Sequence, residues 1–303
     1  MKSLSRTVKD RIFVWSIVIP AILFFIIFVY YPFAKNVYYM FCDYNYIKAP
    51  VFSGLKNIQQ FITDSTAHRA LFNTFAITIF SVPLVLVVSL GAALAVFSMK
   101  RGKNFIRSAL FATFLVPPVV ASVIFKLMFG TESGLINTVL NTLGLPSVGW
   151  LISPGWALAA IIIVHVWNGT GYYMVIFLAG LSNINRQLYE AARVDGANAV
   201  QIFFKITLPY MLYVTTPYLI TTFTGNVNNF NVIYLLSGGD PVTNLESTAG
   251  STDLLVTWLY KLTVDKQYYN IGAVIGILTF IILAIAALLT YRNSKSYKEE
   301  GGF

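Results

Sequence analysis

Six apolar segments, each about as long as a bilayer is thick, dominate this 303-residue sequence. A helix needs about 20 apolar residues to cross the hydrocarbon core, and helices satisfy their own backbone hydrogen bonds there. The segments cover residues 12–31, 71–99, 108–129, 156–181, 211–236 and 271–291. Charged residues make up 11% of the chain, whereas soluble domains carry about 25%. The sequence therefore predicts an all-α, multi-pass membrane protein with six transmembrane helices. We expect one membrane domain over residues 1–303, with its core spans at about 71–291.

The positions of lysine and arginine predict how these spans are oriented. Short cytoplasmic loops of membrane proteins are enriched in basic residues. Four segments carry most of them here: Lys2, Arg6, Lys9 and Arg11 in the first; Lys100, Arg101, Lys103 and Arg107 in the second; Arg186, Arg193 and Lys205 in the third; Arg292, Lys295 and Lys298 in the last. We therefore expect these four segments, which include both termini and the segment at about 182–210, to be cytoplasmic, and the other connections to lie outside. This distribution accounts for the net charge of +9 without a nucleic-acid partner.

Several kinds of chemistry lack the residues they need. One cysteine, Cys42, and two histidines, His68 and His165, are too few for a disulfide framework or a zinc cluster, so we expect no metal site and no catalytic residues. A phosphate-binding loop needs Gly, four residues and then Gly-Lys-Ser/Thr. The nearest approach, at Gly102, has Phe97 in place of the first glycine. The chain is therefore predicted not to be an enzyme and to contain no energy source of its own.

Ion coupling is also poorly supported by the sequence. Proton and sodium relays use carboxylates within the membrane, and none of the six apolar segments contains Asp or Glu. Lys126 is the clear intramembrane charge, and it lies near the outer end of the third segment, where its long side chain can reach the interface. An ion-coupled secondary transporter stays as the weaker alternative.

The polar segment between the fourth and fifth spans predicts two short helices joined by a tight turn. Gly196 is the residue type that most readily takes the left-handed conformation that ends a helix. Asn198 is a good N-cap, with Gln201 in the capping-box position. Pro209 is expected to stop the second helix before it runs into the membrane.

This segment resembles the EAA loop of the membrane subunits of ABC importers, and we call residues 182–210 the coupling loop. The pattern is Glu-Ala-Ala at 190–192, three residues, Gly196, nine residues, Ile206, one residue and Leu-Pro at 208–209. An ordinary cytoplasmic hairpin would explain the helices but not this spacing. The resemblance implies a type I ABC importer permease fold and a loop that docks on a separate ATPase. The residues it assigns to ATPase coupling are Glu190, Ala191, Ala192, Asp195, Gly196, Ala197, Ile206, Leu208 and Pro209.

The fourth and fifth spans carry uncharged polar and aromatic side chains near mid-membrane. Four of the six residues from Asn226 to Asn231 are asparagines, and such amides need partners in lipid. Two readings stay open from the residues alone. The amides bind a polyhydroxylated ligand, or they hold the helices together.

A second resemblance bears on this choice. The chain is similar to the larger membrane subunit of maltose-type carbohydrate importers over roughly residues 156–291, in motifs that begin at Trp167, Asn226, Gly238 and Ala249. It implies a carbohydrate substrate, of di- or oligosaccharide size. The substrate-binding residues it implies are Asn168, Gly169, Tyr172, Thr222, Gly225, Asn226 and Asn229. Asn168 and Gly225 depart from the apolar and aromatic residues of the maltose pattern, so the identity of the sugar stays open.

The same resemblance implies a set of partners. These are an ATPase subunit dimer that uses ATP and Mg²⁺, a second homologous permease subunit, an extracytoplasmic solute-binding protein and membrane lipid, with no cofactor in this chain. The expected location is a prokaryotic plasma membrane. An ABC importer for another solute class stays as an alternative, because the coupling loop is shared across substrates.

Overall fold

The computed structural model describes residues 6–45, 47–242 and 247–293, and it is mostly helical in these ranges. The helices are α1 Arg6–Phe25, α2 Tyr31–Met40, α3 Lys56–Thr63, α4 Ser65–Ser98, α5 Lys103–Leu115, α6 Pro118–Met128, α7 Leu135–Thr142, α8 Pro154–Asn183, α9 Arg186–Val194, α10 Ala199–Ile202, α11 Leu208–Val227, α12 Asn231–Ser237, α13 Leu255–Tyr260 and α14 Tyr269–Asn293. Three π-helical turns occupy Ile26–Tyr30, Phe203–Thr207 and Lys261–Asp265. Strands β1 Cys42–Asp43 and β2 Val51–Phe52 pair antiparallel.

The chain divides into two compact units. One comprises Met1–Thr63 and Leu262–Ile281, and the other comprises Asp64–Lys261 and Ile282–Phe303. In the first unit, buried Asn57 donates from Nδ2 to the carbonyl oxygens of Met40 (3.1 Å) and Cys42 (2.7 Å) and accepts from Asn270. This amide fixes the turn that follows α2. The second unit holds every predicted site residue.

Four helical segments of the described chain are long and apolar enough to cross a membrane: Arg11–Met40, Ser65–Ser98, Pro154–Asn183 and Tyr269–Arg292. They fall on the first, second, fourth and sixth predicted spans. The prediction of an all-α, multi-pass membrane protein is confirmed by these helices.

The third predicted span is not one straight helix. α5 and α6 together pass the same length and hydropathy test, but they meet at an angle of 95°. The break falls at Pro117 and Pro118. A proline disfavours helical backbone in the residue before it, and Val116 (ψ 121°) and Pro117 (ψ 138°) are accordingly extended. Hydropathy alone therefore merged two helices into one span.

The fifth predicted span, 211–236, is also divided. α11 ends at Val227 and α12 begins at Asn231, and neither passes the test for a membrane-crossing helix. The Asn229 side-chain oxygen accepts a hydrogen bond from the Val232 backbone N–H at 3.4 Å. Asparagine side chains compete in this way with the backbone hydrogen bonds of a helix. The fifth predicted span is therefore two helices instead of one. Within the described residues, five spans meet the length and hydropathy criterion when the bent pair is counted as one.

α5 and α8 approach each other closely at Gly171. A Cβ atom at this position would lie 2.2 Å from the backbone oxygen of Leu110 and 2.9 Å from the Cα atom of Phe111. Backbone atoms cannot move aside as a flexible side chain can. The absence of a side chain at Gly171 therefore sets how close the two helices come.

Gly171→Ala is expected to destabilise the protein by about 1–3 kcal/mol, the usual cost of overpacking. Gly155, in the same helix, has no atom within 4 Å of its would-be Cβ. Gly155→Ala should therefore be neutral or slightly stabilising, because alanine favours helices. Thermal unfolding in detergent compares the two. Equal melting temperatures for both variants would contradict the close approach at Gly171.

The loop after α12 folds back on a buried carboxylate, Asp253. Its Oδ2 atom accepts hydrogen bonds from Lys261 Nζ and from the Gly250 backbone N–H, both at 2.7 Å. A Cβ on Gly239 would lie 1.9 Å from Asp253 Oδ1, so this glycine makes room for the carboxylate. Burial raises the pKa of the Asp253 carboxyl above its usual value, and Lys261 offsets only part of that shift.

Asp253 gives the loop a pH dependence of known sign. Because its folded pKa lies above the unfolded one, its stabilising contribution is complete below the unfolded pKa and is lost as pH rises through the folded pKa. The free energy of unfolding of the wild type should therefore decrease as pH rises from about 4. In Asp253→Asn this decrease should be smaller. Thermal unfolding across this range measures the slope, with exposed Asp240→Asn as the control. An unchanged slope in Asp253→Asn would contradict the assignment.

Candidate functional site

The turn at the centre of the coupling loop has the geometry that its sequence predicts. Gly196 has a φ of +80°. Its N–H donates to the Arg193 oxygen (3.1 Å), and the Ala197 N–H donates to the Ala192 oxygen (2.9 Å). These two bonds form a Schellman motif. Asn198 and Gln201 make the reciprocal capping box at 2.9 Å in each direction. The helix, turn and helix are confirmed.

Pro209 does not end the second helix, so that part of the prediction was wrong. α10 continues through the π-helical turn Phe203–Thr207 directly into α11, with Pro209 in its first turn. The Leu208 N–H donates to the Phe203 oxygen, five residues back. Proline lacks an N–H but is tolerated in the first turn of a helix. The coupling loop is therefore continuous with α11.

The predicted coupling residues divide into an exposed tip and a packed base. Glu190, Ala191, Asp195, Gly196 and Pro209 are exposed, and Ala192, Ala197, Ile206 and Leu208 are half-buried. At the base, Tyr189 and Ile206 pack against a buried cluster that includes Phe177, Leu181 and Met211. The Tyr189 hydroxyl lies 3.1 Å from that of Thr207. The base therefore connects the tip firmly to α8 and α11.

Two exposed valines flank the turn, and neither is among the residues predicted from the sequence. Val194 is 88% exposed and Val200 is 64% exposed. Both side chains would be available to a partner that covers the turn. Their positions on either side of Gly196 are the sequence feature that could have identified them.

All seven predicted substrate-binding residues line one cavity of about 310 Å³. Its walls come from α5, α6, α8, α11, α12 and the α11–α12 break. The lining residues are Phe114, Pro118, His165, Asn168, Gly169, Tyr172, Tyr173, Thr221, Thr222, Gly225, Asn226, Asn229, Asn231 and Val232. None of them is Asp, Glu, Lys or Arg. We call this space the polar cavity.

Some polar groups in the cavity wall form hydrogen bonds within the protein. Asn226 is 2% exposed, accepts from Ser81 Oγ (3.1 Å) and donates to the Thr222 carbonyl oxygen (2.8 Å). The Thr222 hydroxyl also pairs with that of Tyr173. Asn226 and Thr222 therefore hold helices together, which is one of the two roles left open for these residues.

Other polar groups in the same wall make no internal hydrogen bond. The side chains of Asn168 and Tyr172 are half-buried, and neither has a hydrogen-bond partner among the described residues. The Tyr172 ring stacks on Phe114, with ring centroids 4.9 Å apart. An amide, a phenol and an aromatic pair thus remain for a ligand.

Histidine and asparagine meet across the cavity wall. Asn229 Nδ2 lies 2.9 Å from His165 Nδ1, while Asn229 Oδ1 accepts from the Val232 N–H. This pair links α8 to the α11–α12 break. His165 was not among the site residues predicted from the sequence.

Phe114 and Pro118 were missed by the sequence analysis. They lie on either side of the α5–α6 bend, which brings the end of one helix and the start of the next to the cavity. The Pro117-Pro118 pair could have indicated this bend, but it lies within a continuous apolar segment that was predicted to be one helix.

Comparison with known proteins identifies the family. Residues 87–296 match the family model for a binding-protein-dependent transport system inner membrane component. Over 217 residues, 70% of this chain, it is 38% identical to the galactooligosaccharides transport system permease protein GanP of Bacillus subtilis. Over 251 residues, 80% of this chain, it is 35% identical to the maltose/maltodextrin transport system permease protein MalF of Salmonella typhimurium. These matches span about half of each relative, 52% of GanP and 49% of MalF.

A solved structure confirms the fold. A chain of a bacterial alginate ABC transporter, crystallised with an alginate pentasaccharide-bound periplasmic protein, superposes with a TM-score of 0.79 at 22% identity. The match covers 95% of this chain and 96% of that one. The type I permease fold implied by the coupling loop is thereby confirmed. This chain belongs to the family of inner membrane components of binding-protein-dependent transport systems.

Proposed function

We propose that this chain is the transmembrane permease subunit of an ATP-driven, binding-protein-dependent importer of a carbohydrate, of di- or oligosaccharide size. The observation that carries the proposal is the polar cavity, which combines uncharged hydrogen-bonding groups with a stacked aromatic pair. The substrates named for GanP and MalF, galactooligosaccharides and maltose/maltodextrin, support the same class.

The chemistry of the cavity favours a sugar over the other solutes that ABC importers carry. A sugar presents hydroxyls that both donate and accept hydrogen bonds, together with apolar ring faces that stack on aromatic side chains. Asn168 and Tyr172 offer the first kind of contact, and the Phe114–Tyr172 pair offers the second. A free amino acid or a phosphate carries charge, and its burial without a charged partner is costly. The cavity lining contains no such partner.

The proposed mechanism is alternating access driven from outside the chain. An extracytoplasmic binding protein delivers the sugar, and a second homologous permease completes the pathway. An ATPase dimer, which uses ATP and Mg²⁺, moves the tip of the coupling loop when it closes. The packed base at Tyr189 and Ile206 transmits that motion to α8 and α11. Together with the α11–α12 break, these helices supply the seven predicted site residues that line the polar cavity. This scheme places the coupling loop and both termini in the cytoplasm.

Tyr172→Leu is expected to raise the apparent KM for sugar roughly threefold to tenfold, because one aromatic contact is lost. Tyr172→Phe keeps the ring and should change the KM less. Uptake measured against sugar concentration in cells or proteoliposomes distinguishes the two variants. Equal KM values for wild type and Tyr172→Leu would contradict the proposed stacking.

The proposal is tested by the ligand of the binding protein encoded beside this chain. Thermal-shift screening of that protein against sugars, amino acids and peptides should show stabilisation by an oligosaccharide. Stabilisation only by an amino acid or peptide would contradict the carbohydrate assignment while leaving the family unaffected.

A further inference from the structure

A short basic turn joins α4 to α5. Lys100, Arg101, Lys103 and Arg107 fall within eight residues, and we call residues 99–107 the basic turn. No Asp or Glu occurs between Asp64 and Glu132, so neighbouring residues in the sequence do not neutralise this charge. Gly102, with a φ of +73°, reverses the chain between the two helices.

The charges of the basic turn are exposed and are not matched within the described structure. Lys100, Arg101 and Arg107 are exposed, and Lys103 Nζ lies 5.1 Å from the centre of the Phe97 ring. Lys261 pairs with Asp253, far along the sequence from this turn. Four cations without a carboxylate form an attractive surface for an anion.

An exposed aromatic side chain stands in the same turn. Phe105 is 77% exposed. It begins the exposed apolar face of α5, which continues through Ala109 and Ala112 to Leu115. The basic turn therefore lies at the end of an exposed apolar helix face, in a segment that the distribution of lysine and arginine predicts to be cytoplasmic.

From this arrangement, we propose that the basic turn binds the headgroup of an anionic phospholipid. Lysine and arginine donate to the lipid phosphate, while Phe105 inserts among the first carbons of the acyl chains. The exposed apolar face that continues from Phe105 along α5 favours a bilayer over a soluble protein as the occupant. Clusters of four or more basic residues next to a membrane helix attract acidic lipids in this way.

The test is the lipid selectivity of the purified full-length chain in bilayers. Electron paramagnetic resonance with spin-labelled phosphatidylglycerol and phosphatidylcholine gives the ratio of their association constants. The variant carries Lys100→Gln, Arg101→Gln and Arg107→Gln. The matched control carries Lys48→Gln, Lys56→Gln and Lys266→Gln, three exposed lysines in segments predicted to lie outside. Both variants lower the net charge by three.

The preference for phosphatidylglycerol is expected to fall about fivefold in the basic-turn variant. This is the change expected when roughly one lysine or arginine no longer contacts an anionic headgroup. In the control, the preference should stay near the wild-type value. High salt should reduce the preference in wild type and control more than in the basic-turn variant. Circular dichroism checks that each variant is folded. If the triple variant does not insert, the three single variants are measured in its place, each with a smaller expected fall.

Three results would overturn the proposal. One is an unchanged preference in the basic-turn variant, and another is an equal fall in the control. The third is a variant that keeps its lipid preference but no longer binds the ATPase subunit, because the surface would then be a protein contact. None of these measurements requires transport, so the test does not depend on the proposed carbohydrate function.

Discussion

Gly225→Trp is expected to reduce carbohydrate uptake to background while the protein folds and inserts normally. Gly225 lines the polar cavity, and no atom lies within 4 Å of where its Cβ would be. An indole at this position can therefore enter the cavity without displacing the helices. It would occupy the space next to Asn168 and Tyr172, the groups that remain for a ligand.

The control for this experiment is Gly91→Trp. Gly91 also lies within a long helix, and no atom lies within 4 Å of its would-be Cβ, but it does not line the cavity. We expect Gly91→Trp to retain uptake. Uptake of labelled oligosaccharide is measured at matched membrane levels of the two proteins. Normal uptake by Gly225→Trp would contradict the assignment of the cavity as the substrate site.

Gly196→Asp is expected to abolish ATP-driven uptake for a different reason. The residue sits in the left-handed conformation at the tip of the coupling loop, where a side chain costs about 1–2 kcal/mol. The change also adds a carboxylate beside Glu190 and Asp195, at the surface proposed to dock on the ATPase. The loop is expected to lose its fit to the ATPase, while the spans are unaffected.

A glycine with the same backbone provides the control. Gly144 has a φ of +77° and open space around its would-be Cβ, but it lies between α7 and α8, far in sequence from the coupling loop. Gly144→Asp should therefore carry the same backbone strain and keep its uptake. Co-purification with the ATPase subunit and sugar-stimulated ATP hydrolysis are measured for both variants. Full stimulation in Gly196→Asp would contradict the coupling role.

The parts of the structure that depend on neighbouring residues could be predicted from the sequence. The Schellman turn at Gly196 and the capping box at Asn198 involve bonds over a few residues, and both are present. The long apolar helices follow from hydropathy in the same way. Local chemistry is sufficient where the bilayer leaves one kind of secondary structure available.

The breaks within helices were harder to predict. The bend at Pro117 and Pro118 was hidden by an apolar run that continues across it. Pro209 was predicted to end a helix, but it lies in the first turn of α11. A π-helical turn before it accommodates the proline. Both outcomes depend on backbone geometry over one turn, which hydropathy does not report.

The cavity illustrates what only the tertiary structure supplies. The sequence named Asn226 and Thr222 for substrate binding, and they line the cavity, but their hydrogen bonds are made within the protein. Phe114 was not named, because its contact with Tyr172 requires the α5–α6 bend. A single sequence shows which residues are polar in the membrane but not which of them already have partners.

The most direct test of the central claim is uptake by the complete importer in proteoliposomes, assembled from this chain, the second permease, the ATPase subunits and the binding protein encoded with it. We predict that a labelled di- or oligosaccharide accumulates when ATP, Mg²⁺ and the binding protein are all supplied, and that Gly225→Trp prevents this. Accumulation driven by an ion gradient without ATP, or transport of amino acids in place of sugars, would contradict it.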